Sequence, residues 1–88
     1  MRQYHEVMLS ASAARSVRSI HATDPVTAKA IIDTLEFISS DVEFGDSRTI
    51  ADEPQLRRIN IDDYFALYWI RREGMTVIVL SISRRRGR

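Results

Sequence analysis

Hydrophobic and polar positions divide the 88 residues into two kinds of pattern. Ala13, Val17 and Ile20 recur at helical spacing after a Ser/Ala-rich stretch, and Ala28, Ile31, Ile32, Leu35 and Ile38 form a second stripe. Ser10 or Ser12 supplies a cap for the first helix. The second starts at Asp24-Pro25, a capping side chain followed by a residue whose φ is already helical. Lys29 and Asp33 make an i,i+4 pair on it.

Elsewhere the alternation has period two. Tyr4 to Leu9 reads as a first strand with Val7 and Leu9 inward. Residues 56–61, 64–70 and 75–83 read as three β-prone runs, separated by turns at Asp62-Asp63 and Glu73-Gly74, which predicts a meander of antiparallel hairpins. A short strand is weakly marked around Arg48 to Ala51, inside the acidic, turn-rich segment 39–55. Ala66, Tyr68 and Ile70 share one face, and Phe65, Leu67 and Trp69 share the other. In the last run Ile78, Leu80 and Ile82 are expected to oppose Val77, Val79, Ser81 and Ser83. The predicted class is α+β: an N-terminal strand and a two-helix hairpin packed on a curved antiparallel sheet of three to four further strands. Helices cover one face only, so Phe65, Leu67 and Trp69 are expected to form a partner-binding patch.

Length allows a single domain, residues 1–88, with a basic tail at 84–88. Such a chain buries roughly 60–65% of its unfolded surface, a thin core. It contains no cysteine, which removes disulfides and thiolate metal sites and fits a reducing, cytoplasmic address. No apolar run approaches a membrane span, and the N-terminus opens on no signal-peptide core. Net charge is only +1, but it is unevenly spread. Acids gather at positions 41–53 and at Asp62-Asp63, while arginines pair at 57–58 and 71–72 and crowd at 84–88. Twelve of the thirteen basic residues are arginine, whose planar fork suits phosphate. Arg57, Arg58, Arg84, Arg85, Arg86 and Arg88 are therefore candidate RNA contacts. Neither His5 nor His21 has a partner at metal-ligand spacing, and no metal or cofactor is expected.

The ordered set of elements resembles the RelE/ParE superfamily, the toxins of bacterial type II toxin–antitoxin pairs. The likeness rests on Leu9-Ser10 before the first helix, an arginine-bearing strand, Tyr64 and Tyr68 four apart, a β-branched last strand and the basic tail. Arg57-Arg58-Ile59 is similar to the YoeB branch. Family members commonly read Tyr-Arg-x-Arg-x-Gly-Asp-Tyr-Arg across the hairpin. Arg58 matches the first arginine, Asn60 stands at the second, Asp62 replaces the glycine and Phe65 replaces the last arginine.

The resemblance implies a toxin that inhibits translation by ribosome-dependent mRNA cleavage, with a cognate antitoxin as partner and a homodimer or toxin–antitoxin hetero-oligomer as its assembly. The alternatives are a ParE-like inhibitor of DNA gyrase and a degenerate member that only binds its antitoxin. In the RNase branch the arginine that Phe65 replaces contacts the scissile phosphate, and the tail usually holds a lysine, histidine or tyrosine. Here the tail holds only Ser83, Gly87 and arginines. Arg58, Arg84, Arg85 and Arg86 are the expected transition-state contacts, able to stabilise charge but poor proton carriers. The acidic base used in some members would fall near Asp46 to Arg48.

Overall fold

The computed structural model describes residues 4–86. Along the chain run β1 (Glu6–Leu9), α1 (Ala11–Thr23), α2 (Pro25–Ser40), β2 (Arg48–Ile50), β3 (Glu53–Ile61), β4 (Tyr64–Arg71) and β5 (Thr76–Arg84). The five strands form one sheet in the order β1-β5-β4-β3-β2. The α+β class and the helical hairpin are as expected. The sheet differs in one respect: β1 joins it parallel to β5, so it is mixed rather than wholly antiparallel.

Local chemistry sets the helix ends. Ser10 Oγ accepts the Ala13 N–H at 3.0 Å, capping α1, and donates to the Leu80 carbonyl at 2.7 Å. Asp24 ends α1 through its N–H to the Ile20 carbonyl and begins α2 by accepting the Thr27 N–H at 3.1 Å, with Pro25 at the first position. Hydrogen bonds from the Thr27 side chain, then its backbone, hold the Asp24 carboxyl below its ordinary range.

One side of each helix meets one side of the sheet. Ala13, Ile20, Ala28, Ile31, Leu35 and Ile38 pack on Ile59, Ile61, Ala66, Tyr68 and Ile70, joined by Val77, Val79 and Ile82 from β5. Strict alternation fails in β5. Leu67 stands opposite Ser81 and Tyr68 opposite Val79, so Leu80 is an extra residue in the ladder. This bulge shifts the parity, returns Ile82 to the core beside Val77 and Val79, and leaves Leu80 39% exposed. Two other inward expectations also shift. Leu9, on an edge strand, and Ile32, at the margin of the α2 stripe, are both exposed, while Val7 packs against the core.

Ser10 thus joins the first helix to the bulge. Replacing it with alanine removes the cap and the bond to Leu80, and is expected to cost about 1–2 kcal/mol in urea unfolding. Ser10→Asp restores a capping oxygen but cannot donate to the carbonyl, so it should recover only part of the loss. Equal stability of the alanine variant and the wild type would show that neither bond matters.

Candidate nucleic-acid interface

Opposed residues in an antiparallel pair point to the same side. The register therefore writes three rows across the face that no helix covers. Arg48, Arg58, Leu67 and Ser81 form one, Asn60, Phe65 and Ser83 the next, and Leu56, Trp69 and Ile78 the third. Arg48 is the site residue that sequence reasoning missed. It lies on a three-residue strand, and only the pairing shows that it stands beside Arg58.

Arg58 is held from two sides. Its guanidinium carbon lies 3.9 Å from the centroid of the Phe65 ring, and its Nε donates to Asn60 Oδ1 at 3.3 Å. Asn60 in turn donates to Asp46, from its side chain at 3.0 Å and its backbone at 3.1 Å. A chain of bonds thus runs from Arg58 through Asn60 to the Asp46 carboxylate. Among the described residues the one ion pair is Lys29–Asp33, so neither Arg48 nor Arg58 is neutralised by a carboxylate. Arg48, Arg58 and Asn60 line a cavity of about 210 Å³. Two adjacent guanidinium groups and an amide at its wall favour an anion able to accept forked hydrogen bonds.

Arg57, expected alongside Arg58, belongs to the opposite face. Its Nε donates to Ser47 Oγ at 2.7 Å and its terminal nitrogen to the Ser47 carbonyl at 2.9 Å. Ser47 Oγ is hydrogen-bonded to the Tyr68 hydroxyl, which donates to the Val42 carbonyl at 2.6 Å. Arg57 thereby staples the loop at 41–47 to the sheet, on the face away from Arg58. The signal was present: Arg57 shares parity with the core residues Ile59 and Ile61.

Burial pushes the Tyr68 phenol above its ordinary value, against the lowering effect of its bonds to Ser47 and Arg57. A raised folded value means that folding favours the neutral phenol. Its contribution is complete below the unfolded value near 10 and is lost as pH climbs through the folded one. The Tyr68 phenolate should therefore form only as structure is lost at high pH. An absorbance titration followed beside circular dichroism checks this. A phenolate signal that appears with the fold intact and is missing from a Tyr68→Phe variant would contradict it.

The tail does not converge on Arg58. Arg84 pairs with Tyr64 on the helix-side face, 5.3 Å from its ring centroid. Arg85 bonds the β3–β4 turn, its N–H to the Asp63 carbonyl at 2.7 Å and its guanidinium to the Asp62 carbonyl at 3.0 Å. Arg86 is exposed beyond the strand. Arg88 lies outside the described residues. Arg84, Arg85 and Arg86 are thus not brought together with Arg58, which stands instead beside Arg48, with the Asp46 carboxylate linked to it through Asn60.

The expected apolar patch is also altered. Phe65, Leu67 and Trp69 are on the open face but each is half-buried, and Arg58 covers the Phe65 ring. The most exposed large apolar side chains are elsewhere: Val26, Tyr4, Phe37 and Met8, at 79, 57, 54 and 50%.

No family model matches the sequence, and no curated protein matches it. Solved structures do. A chain of the RelBE2 toxin–antitoxin complex from Mycobacterium tuberculosis is 20% identical, with a TM-score of 0.77 over 94% of this chain and 93% of that one. The isolated E. coli RelE toxin is 14% identical, with a TM-score of 0.78 over 96% and 87%. The YoeB/ParE toxin from Agrobacterium tumefaciens is 13% identical, with a TM-score of 0.79 over 92% and 99%. The chain has the fold of the RelE and YoeB toxins.

Proposed function

We propose that this protein, built on the RelE/YoeB fold, is the toxin of a type II toxin–antitoxin pair and inhibits translation by cutting mRNA on the ribosome. The observation that carries the reading is the pair of un-neutralised arginines, Arg48 and Arg58, side by side with Asn60 on the uncovered sheet face.

Cleavage by the ribose 2′-hydroxyl needs a proton acceptor, charge stabilisation on the phosphate and a proton for the leaving oxygen. Arg48 and Arg58 take the phosphate charge. Asp46 takes the 2′-hydroxyl proton as the new 2′-oxygen–phosphorus bond forms. The 5′-oxygen leaves and takes its proton from water, because the described open face otherwise offers only arginines, serines and amides near this cavity. Catalysis without a positioned acid is slow, and relies on the ribosome to align the strand; alignment alone supplies up to ~7–11 kcal/mol.

The antitoxin reading also rests on surface chemistry. β1 is an edge strand, and beside it Leu9 and Ile32 line an apolar groove with Val7 and Leu35. An antitoxin segment would bury most apolar area here, by strand addition or a docked helix, rather than over Phe65, Leu67 and Trp69. The test is induction in bacteria with and without a co-expressed antitoxin, with mRNA ends mapped after induction. Growth arrest with cleavage at translated codons is the expected result. Arrest without cleavage, accompanied by loss of gyrase supercoiling, would replace this reading with the ParE-like one, which the missing proton donor favours.

A further inference from the structure

We propose that Trp69 is a base-stacking platform, taking a nucleobase of the single strand whose phosphate sits on Arg48 and Arg58. The inference rests on the RNA-binding reading and adds to it a second contact of different chemistry. Aromatic faces on this molecule are mostly taken. Arg58 lies over Phe65, Arg84 over Tyr64, Tyr68 is fully buried, and Phe37 and Phe44 stack on each other at 4.8 Å. On the open face Trp69 is the aromatic residue with no aromatic or cationic partner among the described residues.

Its setting suits a flat ring. Leu56 and Ile78 stand directly opposite it on the two neighbouring strands, so the row across the face at this position is wholly apolar. Trp69 is two residues along β4 from Leu67, which shares the row of Arg48 and Arg58. Arg58 reaches the other way, over Phe65, which is four residues or about 13 Å along β4 from Trp69, so the platform lies a nucleotide or two from the phosphate site. A strand lying across the face can therefore set a phosphate on the arginines and a base a nucleotide or two along on the indole. That pairing of a cationic groove with an aromatic face is how single strands are held without reading their sequence.

A protein partner fits this patch less well. Phe65, Leu67, Trp69 and Ile78 are all half-buried already, and a stable protein interface needs about 800 Å² from each side.

The chain's single tryptophan makes the test direct, since intrinsic emission reports this residue alone. The full chain is titrated with an end-labelled oligoribonucleotide of about eight nucleotides and with an abasic ribose-phosphate oligomer of the same length. Label anisotropy measures binding and tryptophan emission measures stacking. Both ligands are expected to bind in an Arg58-dependent way, and only the RNA to quench Trp69. Trp69→Leu should weaken RNA binding by about 5- to 150-fold and leave the abasic oligomer unaffected, while Trp69→Phe keeps most of the affinity. RNA that binds without changing the emission, or equal losses for both ligands, overturns the platform and leaves the phosphate site standing. RNA that does not bind at all overturns the phosphate site as well. If quenching is absent and Trp69→Leu instead releases a copurifying antitoxin, the residue serves a protein partner. The wild-type titration needs no variant, so a folding defect in Trp69→Leu does not remove the test.

Discussion

Replacing Arg57 with alanine is expected to lower the unfolding free energy by about 2–4 kcal/mol, whereas the same change at its neighbour Arg58 should cost less than about 1 kcal/mol. The two arginines are adjacent and chemically identical, but the strand sends them to opposite faces. Arg57 makes two charge-assisted bonds to Ser47, at 2.7 and 2.9 Å, and Ser47 is bonded to the buried Tyr68 hydroxyl. Its removal opens the polar connection between the acidic loop and the sheet beside the core. Arg58 makes a cation–π contact and one 3.3 Å bond on an uncovered face, where water replaces much of what its removal takes away. A domain of this length has roughly 4–13 kcal/mol of stability in all, so the Arg57 loss is a large share of it. Thermal melting resolves the difference easily, at about 4–8 °C for each kcal/mol. Equal destabilisation by the two changes would contradict the assignment of faces.

The second large effect is functional. Arg48→Ala with Arg58→Ala is expected to leave melting near that of the wild type and to reduce RNA cleavage by about 100-fold or more. Removing a single donor aimed at developing charge typically costs 10²–10³ in rate. The salt dependence of single-strand binding should flatten too, by about 0.7 in the logarithmic slope for each phosphate that is no longer neutralised. Arg84, stacked on Tyr64 on the other face, serves as the control. Its alanine variant removes one positive charge, as Arg48→Ala or Arg58→Ala does singly, but not from the cavity. If it matched the Arg48 and Arg58 effects, net charge rather than the site would be responsible.

Which features could be seen in the sequence follows from how local they are. Ser10 and the Asp24-Pro25 pair mark helix starts because capping involves residues three positions apart. The β3–β5 meander is visible because its turns and its alternation lie within a few residues. The features that escaped are pairings between distant segments. The Leu80 bulge answers to Ser10, seventy residues earlier, and changes which side of β5 is buried. The parallel seat of β1 beside β5 leaves no trace in either strand alone. Arg48 becomes a site residue only because β2 pairs with β3.

Phe65 is a case where the residue was visible and its meaning was not. Where the superfamily pattern has an arginine, this chain has an aromatic ring that supports Arg58 from two strand positions away. Position 65 carries no charge, and Arg48 stands beside Arg58 on the neighbouring strand. The open face therefore holds two arginines, although only Arg58 matches an arginine of that pattern.

Cleavage of a defined mRNA in a translating extract, compared between the wild-type protein and the Arg48→Ala/Arg58→Ala variant, tests the central claim most directly. The expected result is codon-phased cutting by the wild type and about 100-fold less by the folded double variant. Equal cutting by both proteins, or no cutting by the wild type, would contradict the assignment of the open face as an RNA-cleaving site.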